Sequence, residues 1–264
     1  MSKILQQTGR HTRPVFGSKI QETVLHMNIP AWSFDAYQAF ARVMEDPAFP
    51  CVFARQAHKR DLLQFLFADA PGDPQDREAV KQGIIYYLEE VNAKRGMEAT
   101  LTVLNVLFRA ESPMLSLDAY HAQAWDFLQY LHDNDPGPWP TGIPRDPDDP
   151  LWSFCFAGVP LFINMSCPAH RKRRSRNLGP SMVLVIQPRE GFDQVGGAHI
   201  KGDEVREKIR CLIEKYDGQK AAPELGTFSR PDNREWWQYL LFEENGPRLD
   251  RCPLRIKSCR STRV

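Results

Sequence analysis

Hydrophobic positions along the chain alternate between two spacings. Phe34, Tyr37, Phe40, Ala41 and Met44 follow a helical repeat that starts at Ser33, a suitable N-cap, and stops before Pro47 and Pro50. Asp73-Pro74 opens a second helix, cap first and proline in the first turn, with Val80, Ile84, Tyr87, Leu88 and Val91 as its buried stripe. Ser116 begins a third, in which Tyr120, Ala124, Phe127, Leu128 and Leu131 share a face. Val205, Ile209, Leu212, Ile213 and Tyr216 point inward from a helix over Asp203–Tyr216, and Asn233–Leu241 is a last, aromatic-rich one.

Between these helices lie runs with strand character. Leu62–Phe67, Thr100–Phe108 and Ser181–Gln187 are apolar and rich in β-formers, while Cys51–Ala54 is a shorter apolar piece. Leu151–Ala157 and Leu161–Met165 flank Gly158-Val159-Pro160 and predict a hairpin. Prolines crowd the stretch from Asp133 to Pro150; each removes a donor and fixes φ, so it is neither a helix nor a central strand. An ordered surface loop is preferred to a domain linker, because the strands after it need partners that the strands before it supply. Helices interleaved with about five strands predict an α+β fold: a single domain around one mixed sheet, with an N-terminal arm over residues 1–30 and a frayed basic tail over 246–264.

Composition narrows the chemistry. With 34 basic and 33 acidic residues the net charge is +1, so the whole-molecule field recruits neither nucleic acid nor membrane. No apolar run approaches membrane-spanning length, and the first residues lack a signal-peptide core, which predicts a cytoplasmic protein with its six cysteines reduced. No C-x-x-C pair, Walker A loop, G-x-G-x-x-G, G-x-S-x-G or H-E-x-x-H is present. Structural zinc, ATP, dinucleotide and serine-hydrolase chemistry therefore lack their usual signatures.

The segment Ser166–Pro180 is bounded like a short helix, with His170, Arg173, Arg174 and Asn177 on one face. An imidazole beside guanidinium groups suits heme, whose iron takes an axial histidine or cysteine and whose propionates pair with arginine. A solvated basic face and a nucleic-acid patch are the competing readings; no aromatic platform interleaves the basic residues to favour the latter. Cys51 is either core packing or a thiolate ligand, and the absence of C-x-x-C-H leaves no covalent heme attachment. In Asn233–Tyr239, Trp236 is either core or a wall of a flat cofactor pocket, and Glu235 either a structural ion-pair partner or the acceptor for a cationic substrate.

These pieces resemble the YqcI/YcgG family: Phe49-Pro50-Cys51-Val52-Phe53, Trp152–Gly158, Pro168-Ala169-His170, Arg174–Pro180, Gln187-Pro188-Arg189, Tyr216-Asp217, Leu225-Gly226 and Asn233-Arg234-Glu235-Trp236, spanning about Ala48 to Leu241. Ala54 departs from the pattern, where glycine is expected. The resemblance implies non-covalent heme b and oxygenation of a guanidino nitrogen of arginine or a derivative, as in the D-cycloserine and guanitoxin pathways. Carried over by position, it makes His170, Arg174, Arg176, Asn177 and Cys51 the candidate heme contacts. The expectation is a heme-dependent N-hydroxylase using molecular oxygen, external electrons and an electron-donating reductase, with either His170 or Cys51 on the iron. The alternatives are a heme-binding or heme-sensing protein without catalysis and a basic-patch binding protein without a cofactor.

Overall fold

The computed structural model describes residues 12–26, 28–94 and 96–256. Expectations for residues 1–11 of the arm, 257–264 of the tail, and Cys259 within it lie outside them.

Six strands form one mixed sheet: β1 (Val15–Phe16), β2 (Leu63–Ala68), β3 (Val103–Phe108), β4 (Phe154–Phe156), β5 (Val159–Ser166) and β6 (Val183–Pro188). Their order is β1-β2-β3-β6-β5-β4. The β2–β3 pair is parallel and every other pair antiparallel. The class is the α+β one read from the pattern, with one strand more than expected because Val15–Phe16, inside the supposed arm, pairs with Gln64–Phe65.

The helices divide between the two faces. On one side α4 (Pro74–Ala93), α6 (Leu117–Asp133) and the short α9 (Glu235–Tyr239) close over Leu104, Val106, Ile163 and Leu184, and Trp236 and Tyr239 join that core. On the other, α1 (Ile20–Leu25), α2 (Trp32–Glu45), α3 (Val52–Lys59) and α5 (Gly96–Leu101) cover Phe65, Phe67 and Leu107. α7 (Arg189–Gly196) and α8 (Ile200–Asp217) complete the fold.

Local chemistry explains both agreement and revision. Asp73 accepts the Gln75 and Asp76 amides, and Ser116 accepts that of Ala119, so both predicted caps form; such a cap contributes about 1 kcal/mol. Ser33 is no cap: the helix begins one residue earlier and Ser33 is buried in its first turn. Thr100 belongs to a helix, because its hydroxyl and that of Thr102 bond back to the Gly96 and Glu98 carbonyls, and the strand starts at Val103. Cys51–Ala54 leads into a helix, with Ala57 buried on the sheet. The hairpin turn is two residues, Ala157 and Gly158, both at positive φ (52° and 74°), rather than three. Residues beyond Gly246 are not frayed up to the last described position: Leu254 is buried, and the Arg255 amide donates to Gln129 at 2.8 Å.

The largest revision concerns Ser166–Pro180, which is not a helix. β5 runs through Ser166, a loop follows, and a 3-10 turn spans Arg174–Arg176. The Cys167 amide donates to the Arg176 carbonyl (3.0 Å), closing the loop on itself. Glu243 accepts the Arg171 and Lys172 amides (3.1 and 2.8 Å), and the Asn177 side chain donates to the His170 carbonyl (3.2 Å). Side chains from elsewhere thus satisfy amides that a helix would have paired internally. The common face predicted for His170, Arg173, Arg174 and Asn177 does not exist.

Candidate active site

A cavity of about 250 Å³ lies between the α2/α3 face of the sheet and helix α8. Its floor is the sheet itself, with Val103 and Asn105 from β3, Val185 and Gln187 from β6, and Phe162, Asn164 and Ser166 from β5. Phe40, Met44, Phe49 and Phe53 make one wall, and Val205, Ile209 and Ile213 of α8 the opposite one. This position explains why the α8 stripe read as core is only half-buried: it faces an opening instead of packed side chains.

Cys51 stands at the N-terminus of α3 and lines this cavity. Burial pushes its thiol up, against the Ala54 and Phe53 amides and the Arg176 charge, so the free sulfur stays protonated. Arg173 and Arg176 line the same space. Arg173 is pinned, donating from Nε to the Phe242 carbonyl and from Nη2 to Asn245. Arg176, 7% exposed, donates from Nη2 to the Gln238 carbonyl (3.1 Å), while its buried Nη1 has no partner. Burial and the Arg173 charge lower its pKa to about 10, which still leaves it cationic at neutral pH. A buried, unsatisfied guanidinium is costly, and an anionic group is what relieves it.

The other candidates lie elsewhere. His170 is fully buried but does not line the cavity; its ring neighbours His121, with centroids 6.3 Å apart. Its Nδ1 is 2.8 Å from Glu243 Oε1, and its buried Nε2 has no partner. Burial lowers its pKa to about 4, so the ring is neutral and donates from Nδ1. Burial works against ionisation of Glu243, but the Lys172 amide and the His170 ring hold its carboxyl below the ordinary value. Arg174 is exposed and lies over the Tyr216 ring at 4.5 Å. Asn177 is engaged at both ends of its amide, donating to His170 and accepting from Gly179. Trp236 is buried in the core beside Trp125 on the far side of the sheet. Glu235 is buried, ion-paired with Arg189, and outside the cavity lining. The structural pairing foreseen for it is therefore made, with Arg189.

The observed donor set fits a heme group. The walls are largely apolar and aromatic, Cys51 offers one soft ligand, and Arg173 and Arg176 offer cations for propionates. Among the described residues no cluster of three or more His, Cys, Asp or Glu could hold a bare metal ion, and no helix is long and apolar enough to cross a membrane.

Sequence reasoning missed the polar floor. Asn105 and Asn164 interrupt otherwise apolar strands, VLNVLF and LFINMS, at positions facing the cavity. An amide in the middle of a central strand was the available signal.

Residues 40–255 match the model of the YqcI/YcgG family. A Streptomyces lavendulae protein named "Putative N(omega)-hydroxy-L-arginine synthase DcsA" is 42% identical over 231 residues, covering 87% of this chain and 86% of its own. Two Bacillus subtilis (strain 168) proteins named as uncharacterized, YcgG and YqcI, are 34% and 32% identical. They cover 90% and 89% of this chain and 92% and 90% of their own. No solved structure matches the chain.

Proposed function

The chain belongs to the YqcI/YcgG family, and from that premise we propose that it is a heme-dependent monooxygenase hydroxylating a guanidino nitrogen of L-arginine or a close derivative. The 42% identity to a protein named for N-hydroxy-L-arginine synthesis supports the reaction. The observation that carries the cofactor is the convergence of Cys51, Arg173 and the partnerless Arg176 Nη1 on one apolar cavity.

In this reading Cys51 would hold the heme iron, because His170 does not line that space. Arg173 and Arg176 would hold the propionates, and their carbonyl partners keep both guanidiniums in place before anything binds. Heme, when bound, would supply activation of molecular oxygen with electrons from a reductase. The chain contributes an apolar enclosure that excludes water and orients the substrate nitrogen.

The test is an absorption spectrum of protein expressed with a heme precursor. Cys51→Ser is expected to lose the native spectrum while His170→Ala retains it. The reverse result moves the ligand to His170, and folded protein that stays colourless with hemin removes the cofactor. Incubation with arginine, oxygen and a reductant should give a one-oxygen mass gain; no such product from any guanidino compound removes the reaction.

A further inference from the structure

The cavity separates charged from neutral polar groups. Four arginines line it, Arg173, Arg176, Arg206 and Arg210, against one carboxylate, Asp217. That carboxylate already accepts the Ser175 amide and hydroxyl at 2.7 and 2.8 Å. Such a lining attracts anions and repels a guanidinium. A further carboxylate placed there would be taken by the resident arginines, as Glu235 is taken by Arg189 nearby. A cationic substrate group therefore needs neutral acceptors.

The floor provides them. Asn105 on β3 and Asn164 on β5 both pair with Val185 of β6, so the two asparagines lie in one row across three strands. Gln187, two residues beyond Val185 on the same strand face, is the diagonal neighbour of both. Such a diagonal separation is roughly 7–8 Å between strands and lies within reach of long side chains. Asn105 directs its amide nitrogen to the Gln64 and Val103 carbonyls (3.3 and 3.5 Å), which leaves its oxygen as the acceptor available to the cavity. Asn164 is bonded weakly, to the Ser166 hydroxyl at 3.4 Å. The Gln187 amide makes no hydrogen bond among the described residues and stands half-buried in the cavity. These carboxamide oxygens open onto the cavity, where a donor-rich partner can complete their hydrogen bonding. A guanidinium, planar and carrying only donors, is such a partner.

We infer that Asn105, Asn164 and Gln187 form the guanidinium-binding subsite, holding the planar cation on carboxamide oxygens instead of on a carboxylate. The inference rests on the reading of this protein as a guanidino hydroxylase. It places the arginines with the propionates and the substrate α-carboxylate, and the reacting nitrogen over the amide row.

The experiment is calorimetric titration of L-arginine into protein expressed with a heme precursor, with heme content measured in parallel. Gln187→Met removes an acceptor without taking a partner from the fold; Asn105→Leu is the second variant. Both are expected to keep the wild-type heme content and to weaken arginine binding about tenfold to a hundredfold, the range of a hydrogen bond to a charged group. Unchanged arginine affinity in both variants overturns the subsite and leaves the parent reading intact. Wild-type protein that binds no guanidino compound overturns both.

Discussion

Arg189 and Glu235 form an ion pair inside the molecule, with side chains 5% and 0% exposed. Arg189 also pairs with Asp193 at 3.1 Å and lies over the Phe228 ring at 3.9 Å. The pair ties α7, directly after β6, to α9. Glu235→Gln leaves a buried guanidinium short of its main counter-charge and is expected to cost about 3 kcal/mol. Urea unfolding measures this. Turnover per folded, heme-loaded molecule should change little; a collapse of arginine affinity at undiminished stability would instead make Glu235 the substrate's carboxylate.

Arg176 should behave in the opposite sense. Its charge is buried with one nitrogen unsatisfied, so a hydrophobic replacement of similar length removes a cost from the empty protein. Arg176→Met is expected to stabilise protein prepared without heme by about 1 kcal/mol, as replacement of buried ions commonly does. The same variant should retain heme less tightly, by tenfold or more. Thermal melts with and without hemin read both effects, and a variant less stable in the empty form would contradict the unsatisfied-charge argument.

Acid sensitivity should come first from two histidines. Burial depresses both His170 and His121 from 6.5 to about 4. Between those values the unfolded chain binds protons that the folded chain does not, so stability present above pH 6.5 is lost as pH falls. The slope for one fully buried ring approaches ~1.4 kcal/mol per pH unit. Glu243, whose carboxyl is held below its ordinary 4.5, adds its loss only under that pH. His170→Gln should therefore flatten the stability profile between pH 6.5 and 4.5, as followed by denaturant titration at stepped pH. Arg173, Arg176 and Arg248, which disfavour charge on these rings, remain in the variant.

Much of the fold was legible because long stripes and caps are local signals. Asp73 and Ser116 announce their helices, and the apolar, β-forming run in Ser181–Gln187 already places β6. The Ser166–Pro180 loop was not legible, since its conformation depends on Glu243 and Asp217, distant carboxylates that accept its amides. Residue types there pointed correctly to a basic site, but the geometry drew in Cys51, Arg173 and Arg176 and left His170, Arg174 and Asn177 out of the cavity. The α8 wall was read as core because a stripe facing a void and a stripe facing side chains have the same period.

That helix carries a consequence of its own. α8 rests on α7 and on the Arg174–Arg176 turn, while Val205, Ile209 and Ile213 look into open space, so the apolar face that should anchor it is half unused. Its local opening should be easier than that of α4 or α6, whose stripes are fully packed. An occupant of the cavity would become the missing half of that packing, and the helix would act as a gauge of filling. Amide hydrogen exchange along α8 is expected to slow on hemin binding while α4 and α6 stay unchanged, and uniform slowing across all three would show that the helix has no independence to report.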